Sequence, residues 1–347
     1  MNAQAAVVVY GATGHTGRFM VAELRRRGFT TIVSGRNAAQ LEALAASSQP
    51  GLVVRPAAVD DPAALDRALA GAAAVINCAG PFAVTGGPVV EAALRAGIPY
   101  VDVAAELEAN VAMFADYAEA AAKAGTAVVP AMAFYGGLGD LLVTAAMGER
   151  TAADAVHVAY GLSSWRPTAG TRAAGQVSHD RRGGRRVRFA EGELQYHDEK
   201  TVVEQDWEFP EPLGTRRVFA EFTMADVVTV PSHVQVPSVT TYMAVEAARD
   251  LAGADTPAPE AMDELGRSDQ TFVVDVLVVS DGVERRATAS GQDIYAVTAP
   301  LAVEAVERLL DGRTRAGATG VVSAGTAFEA ADFLRALSPY VTVQLPH

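Results

Sequence analysis

The apolar run Val7-Val8-Val9-Tyr10 breaks into Gly11-Ala12-Thr13-Gly14-His15-Thr16-Gly17, and a helical stretch from Arg18 to Arg27 follows. A buried strand that runs straight into three evenly spaced glycines leaves few folds open. Gly11 permits the sharp turn, Gly14 lets backbone approach a phosphate, and Gly17 lets the new helix press against its strand. The first N–H groups of that helix have no partner within it, and with its positive end they form an anion site. The stretch predicts strand, turn and helix, with Gly11, Ala12, Thr13, Gly14, His15, Thr16 and Gly17 as nucleotide-binding candidates.

The next strand, Thr30-Thr31-Ile32-Val33-Ser34, bears on which nucleotide. It ends in Gly35-Arg36-Asn37, and no acid occurs between Glu23 and Glu42. A site for NAD(H) places a carboxylate at this point, on the ribose 2′-hydroxyl. A guanidinium beside a hydroxyl suits a 2′-phosphate, which a carboxylate would repel. Ser34, Arg36 and Asn37 therefore predict NADP(H), and Asp60, at the end of the third strand, is a candidate for the adenine.

Strand-like and helical stretches then alternate to Val129. The expected helices are Ala38 to Ser47, Pro62 to Ala70, Pro88 to Ala96 and Ala109 to Ala124. The expected strands begin near Leu52, Ala73, Tyr100 and Ala127. This alternation predicts an α/β fold with a doubly wound parallel sheet of the Rossmann type, with ligands at the edge where the strands end. Beyond about residue 140 the pattern changes to short strands and hairpins, with Asp281-Gly282 as a strong turn signal. A second α+β domain with a mixed or antiparallel sheet is expected. The domain reading is 1–140 for the dinucleotide, 141–325 for substrate and dimerisation, and 326–347 as a helix and strand that could return to the first domain. Helices are expected at Val239 to Leu251 and Pro300 to Leu310. Arg181, Arg182, Arg185, Arg186 and Arg188 read as a mobile basic loop or hairpin tip, with a site for an anionic substrate as the lesser alternative.

The 347 residues carry a net charge of −13, which argues against nucleic acid as a partner. The charge-free stretch from Ala68 to Val90 is broken by glycines and prolines, so a buried strand and a loop are expected in place of a membrane span. One cysteine, Cys78, excludes an internal disulfide and fits the cytoplasm. The first strand starts so early that no leader is expected.

Val75-Ile76-Asn77-Cys78-Ala79-Gly80-Pro81-Phe82 resembles a segment of saccharopine dehydrogenase-like oxidoreductases. So do Gly87-Pro88-Val89-Val90-Glu91-Ala92, the run Gly97-Ile98-Pro99-Tyr100-Val101-Asp102-Val103-Ala104-Ala105-Glu106, and the Gly-Ala-Thr-Gly-His-Thr-Gly turn. Together they cover the first 140 residues; Arg166-Pro167-Thr168-Ala169-Gly170-Thr171 resembles a substrate-domain loop of the same group more weakly. The group includes saccharopine reductases and trans-acting enoyl reductases. The resemblance implies pyridine-nucleotide redox chemistry, a second domain for a small-molecule substrate, and a homodimer. It adds Asn77, Cys78, Ala79, Gly80, Pro81, Ala105 and Glu106 to the cofactor-binding candidates. Cys78 reads as a small residue lining the pocket. Glu106, with Asp102, either orients a ligand or caps the following helix.

The chain has only two lysines, Lys123 and Lys200. Tyr196 and Lys200 have the Tyr-x-x-x-Lys spacing of short-chain dehydrogenases, but they follow an apparent hairpin outside the first domain, so coincidence is the better account. The catalytic candidates are Tyr135, at the ligand edge of the sheet, and His233, in a loop of the second domain. Arg166 and Arg172 flank a turn and could hold a substrate carboxylate, and no side-chain cluster has metal-ligand spacing. The expected function is an NADP(H)-dependent oxidoreductase, acting as a reductase on C=N, C=C or C=O in an interdomain cleft. The alternative is an NADP(H)-binding redox sensor without turnover.

Overall fold

The computed structural model describes residues 5–47, 51–198 and 201–346. The first domain follows the predicted alternation. Its elements are β1 (Ala6–Tyr10), α1 (His15–Arg26), β2 (Thr30–Gly35), α2 (Ala38–Ser47), β3 (Val53–Pro56), α3 (Pro62–Leu69), β4 (Ala74–Asn77), α4 (Phe82–Ala96), β5 (Tyr100–Asp102), α5 (Leu107–Ala124) and β6 (Ala127–Val129). Val7, Val8 and Val9 are fully buried, because helices cover both faces of this sheet.

The rest of the chain adds α6 (Gly139–Met147), β7 (Ala155–Leu162), α7 (Ala169–Arg181), β8 (Arg186–Ala190), β9 (Glu193–His197), β10 (Glu204–Glu208), β11 (Thr215–Ala220), α8 (Asp226–Thr229), β12 (Val239–Ala244) and α9 (Val245–Ala252). It closes with β13 (Thr271–Ser280), β14 (Val283–Gln292), α10 (Ile294–Asp311), β15 (Gly320–Val321), α11 (Ala324–Ala327), α12 (Ala330–Ala336) and β16 (Val341–Gln344).

One sheet has the order β15-β6-β5-β4-β1-β2-β3, and every pairing in it is parallel. The strand order reverses beside β1, which creates the crevice where such sheets bind ligands. The second sheet runs β10-β11-β12-β7-β13-β14-β16, with the β8–β9 hairpin joined to β12. It is mixed: β7 pairs in parallel with β12 and antiparallel with β13. The α/β parallel sheet with a second mixed-sheet α+β domain is therefore the fold that the sequence predicts.

Several elements depart from expectation. Val239–Ala244 is a strand, β12, and the helix begins only at Val245; its β-branched residues fill a strand beside β7. It is β15, at Gly320–Val321, that joins the edge of the first sheet, whereas the C-terminal strand β16 pairs with β14 of the second. Helices α4 and α10 start six residues before Pro88 and Pro300, each proline lying inside its helix.

Helix α10 lies between the two sheets, almost wholly buried, and packs across α1. The main core runs through it from Val7, Val9 and Met20 to Val156, Val158, Val274 and Val276. A salt-bridge network seals this seam. Glu23 takes Arg26 Nε and Arg27 Nε, each at 2.8 Å, and Arg27 also meets Glu304 and, at 2.7 Å, Glu307. Among the described residues no helix is long and apolar enough to cross a membrane.

Candidate functional site

The glycine turn has the geometry that its spacing predicts. Gly11 has φ +84°, and a Cβ there would come within 2.8 Å of Ala79 N. A Cβ on Gly17 would press into Gly11 O and lie 2.9 Å from Ala12 Cα, so α1 can reach its strand only with glycine here. Gly14 is exposed and caps α1 with no side chain, leaving the first N–H groups of the helix facing outward. Gly11 N and Ala12 N both donate to Ser34 O, at 2.9 and 3.3 Å. This ties the turn to the end of β2.

Arg36 is exposed just beyond β2 and makes no hydrogen bond or ion pair among the described residues. It lies in electrostatic reach of the Tyr10 phenol, as does exposed Asp60. Burial pushes that phenol up to about 12, against the pull of Arg36. The neighbouring candidates do other work. Ser34 is fully buried and serves the turn through its carbonyl, so its hydroxyl is not offered at the surface beside Arg36. Asn37 Oδ1 accepts from Gln40 N at 3.1 Å and caps α2.

Where β4 and β5 end, a buried polar net shapes the crevice. Asn77 donates to Tyr100 OH at 3.1 Å and accepts from Ala79 N at 3.0 Å. Tyr100 OH donates to Asp102, whose other oxygen accepts from Ala104 N and Ala131 N. Asn77 thus holds the Ala79-Gly80-Pro81 backbone in place. Cys78 is half-buried, and desolvation keeps its thiol protonated, with the Asp102 charge adding to the effect. Glu106 lies where Ala105 leads into α5, and its Oε1 accepts from Phe82 N at 2.9 Å. Burial pushes its carboxyl up to about 7 despite that bond.

The second domain closes over this edge. The His15 ring meets Tyr295 edge-on at 5.2 Å and Phe19 at 5.3 Å. Tyr295 OH bonds Thr171 Oγ1 at 3.0 Å and donates to Arg166 O at 3.3 Å. Helix α7, capped by Thr168, then runs over the loop after β4: a Cβ on Gly80 would lie 3.7 Å from Ala174 Cβ. Farther along, Arg181 donates to Ala83 O, and Ser178 donates to Glu108 at 2.5 Å.

Tyr135 sits in a tight turn after β6. Gly136 has φ +92° there, and a Cβ on it would meet Ala131 Cβ at 2.8 Å. Phe134 N donates to Thr298 Oγ1 at 3.1 Å, which fixes the turn to α10. The Tyr135 ring lies 5.0 Å from Trp165 and 4.9 Å from Tyr160, and its buried hydroxyl has no partner. Burial raises its pKa well above 10, with Tyr295 and Asp226 adding to the effect.

His233 lies elsewhere. Its Nε2 is 2.6 Å from Asp140 Oδ1, and Asp140 Oδ2 accepts from Gly325 N. Burial works against the charged imidazole, but the Asp140 charge and the hydrogen bond to it together outweigh that and raise the pKa. No described contact joins His233 to Tyr135. Arg172 is committed to carbonyls, donating to Gly253 O and Thr256 O at 2.9 Å each. Arg166 keeps only a 3.8 Å approach to Asp269. The basic cluster is anchored: Arg186 donates to Ala220 O and Glu221 O, and Arg188 pairs with Glu221. Tyr196 lies on β9 under the Arg185 guanidinium, and Lys200 is outside the described residues.

Sequence reasoning missed Tyr295 and α7. Asp293 was the available signal, since its carboxylate caps α10 by accepting from Tyr295 N and Ala296 N. In α7, Gly170 and Gly175 hid the helix, while Thr168 accepting from Thr171 N marks its start.

A parallel sheet with a glycine cradle at its switch point, roofed by a second domain, defines a dinucleotide-binding protein of two domains. Residues 7–132 match the family model of the saccharopine dehydrogenase NADP binding domain. The first domain is of that family, as its motifs implied, and its cofactor is NADP(H). The cradle, the outward N–H groups of α1 and the unpaired Arg36 fit that group. A mouse saccharopine dehydrogenase-like oxidoreductase is 29% identical over 147 residues, covering 37% of this chain and 34% of that protein. An Arabidopsis thaliana protein, named as a probable mitochondrial saccharopine dehydrogenase-like oxidoreductase, is 30% identical over 142 residues, covering 37% and 31%. The chain thus covers about a third of the length of these relatives. The apo saccharopine dehydrogenase (L-Glu forming) of Saccharomyces cerevisiae shares the fold. It has a TM-score of 0.66 at 14% identity, with 99% of this chain and 100% of that one covered.

Proposed function

We propose that this chain is an NADP(H)-dependent oxidoreductase, working as a reductase on a C=N, C=C or C=O bond of a small substrate held between the two domains. One observation carries this reading: the amino end of α1 opens onto residues of the second domain, with His15 against Tyr295 and Gly80 beneath α7. A nucleotide held there would have its reactive end enclosed by both domains, away from water. When bound, NADP(H) supplies or accepts the hydride.

The protein's own part is binding, orientation and a proton. Gly11, Gly14 and the start of α1 take the pyrophosphate, and Arg36 takes the 2′-phosphate. Tyr135 is the proton donor in this proposal. Its hydroxyl is buried without a hydrogen-bond partner among the described residues, so a substrate heteroatom can take its hydrogen bond without displacing one within the protein. His233 is left a structural role beside Asp140. Arg166 remains available for an anionic substrate group. The free thiol of Cys78 suits a reducing compartment such as the cytoplasm, and a homodimer is the proposed assembly, to be tested by sedimentation.

The test is a fluorescence titration of purified protein with NADPH and NADH, followed by turnover assays on imines, enoyl thioesters and ketones. Binding of NADPH with turnover of one class supports the proposal. Binding with no hydride transfer across the panel points to a redox sensor, and absence of binding removes the enzyme reading altogether.

A further inference from the structure

On the basis of the NADP(H) assignment, we infer that α7 is a lid over the crevice, and that Glu108 and Arg182 latch it to the first domain when the cofactor is bound.

Helix α7 is held differently at its two ends. Its first turn belongs to the second domain: Thr171 Oγ1 bonds Tyr295 OH at 3.0 Å, and Arg172 donates to Gly253 O and Thr256 O at 2.9 Å each. Its far half rests on the first domain, where Arg181 donates to Ala83 O at 2.7 Å and Ser178 donates to Glu108 at 2.5 Å. Ala83 and Glu108 open α4 and α5, the helices that follow the strands shaping the crevice. Ser178 is the one buried residue of α7, and Gly170 and Gly175 lower its intrinsic stability. Just past its end, Gly183 and Gly184 take φ of +63° and +74° before β8 begins. A helix that buries so little apolar surface and ends in two glycines moves at small cost.

The contact at the far end is half made. Arg182 donates to Ser178 Oγ at 2.7 Å, so that hydroxyl stands between the guanidinium and the Glu108 carboxylate. The two charges themselves are 3.9 Å apart, from a terminal nitrogen of Arg182 to Glu108 Oε1. Glu108 Oε1 and Arg182 Nε are both buried, and neither has a hydrogen-bond partner among the described residues. Leaving a carboxylate oxygen and a guanidinium N–H buried without partners is costly. A shift of α7 toward α5 by about 1 Å would bring the pair to the ~2.7–2.9 Å of a charge-assisted bond and let the guanidinium close on Glu108. The same shift lowers the helix onto the loop after β4, which Ala174 already overlies at Gly80. A nucleotide that orders this loop supplies the contact favouring the closed position, and closure shields the reacting end from water.

Hydrogen exchange of the full chain, read by mass spectrometry with and without NADPH, tests the lid. Protection of residues 11–18 reports that the cofactor is bound, and protection of residues 176–183 reports the lid. Both should slow when NADPH is added, the lid segment by about tenfold. In Glu108→Gln, which keeps the shape of the side chain, the slowing of the lid should shrink to about twofold or less while that of residues 11–18 is unchanged. Arg182→Lys, which keeps the charge without the planar fork, should fall between, and a thermal melt confirms that each variant is folded. Protection of residues 11–18 with no change at 176–183 overturns the lid and leaves the cofactor site standing. Full protection of the lid in Glu108→Gln overturns the latch. No protection of either segment overturns the lid and the NADP(H) assignment together.

Discussion

At the scale of single residues, the site is most exacting where backbone passes close to backbone. Gly17→Ala would force a Cβ into Gly11 O and Ala12, and no flexible side chain can move aside. A loss of about 2–3 kcal/mol is expected, read from the urea midpoint, together with weaker NADPH binding. Arg36 has no hydrogen-bond or ion-pair partner among the described residues, so Arg36→Glu should leave stability intact and lower NADPH affinity by about tenfold or more, with NADH spared. Tyr135→Phe should cut turnover by about a hundredfold while the NADPH dissociation constant stays the same, because the hydroxyl has no hydrogen-bond partner among the described residues. The glycines of the turn were legible because each answers a local demand, a positive φ or a close approach. What the sequence did not show is that Ser34 is fully buried in β2, a central strand paired on both sides with β1 and β3.

At the scale of elements, the two prolines misled in the same way. Pro88 and Pro300 resemble first-turn prolines, yet each lies one and a half turns inside its helix. Burial of the surrounding apolar faces outweighs the lost backbone bond. In α4 the glycines beside the proline answer to packing, as a Cβ on Gly87 would come within 2.7 Å of Tyr117 OH on α5. The true start of α10 is Asp293, fully buried, which also accepts from Ser268 N at 2.7 Å. Asp293→Ala should therefore cost more than an exposed cap, about 2–3 kcal/mol in chemical denaturation, because three N–H groups lose their acceptor. Since α10 carries Tyr295, the same variant should also weaken NADPH binding.

At the scale of the whole molecule, the seam between α1 and α10 and the buried carboxyls set opposite pH trends. Burial pushes Glu23 and Glu304 up, but hydrogen bonds from arginines outweigh it and hold both below the usual carboxylate range. Their contribution is complete above the unfolded pKa, about 4.3, and is lost as pH falls through the lower folded value. Glu106 and Asp226 are raised to about 7, mainly by burial. The folded state binds those protons more tightly, so stability declines from about pH 4 to 7 and the penalty is complete above that range. The melting temperature should peak near pH 4 and fall on both sides, and Glu106→Gln should recover part of the loss at pH 8. Arg27→Met should cost about 3 kcal/mol at pH 7, because it leaves Glu23 and Glu304 buried with fewer partners.

The sequence by itself determined the first domain, its cofactor and the glycine turn that opens α1. Strand period and glycine spacing are local signals that need no distant partner to be read. Only the tertiary structure decided what faces that turn. His15 on Tyr295, α7 over Gly80, and Arg27 between Glu23 and Glu304 join residues far apart in the chain, and burial of shared apolar surface brings them together. The same packing separated the two catalytic candidates, leaving Tyr135 unpartnered among aromatic rings and giving His233 to a buried aspartate.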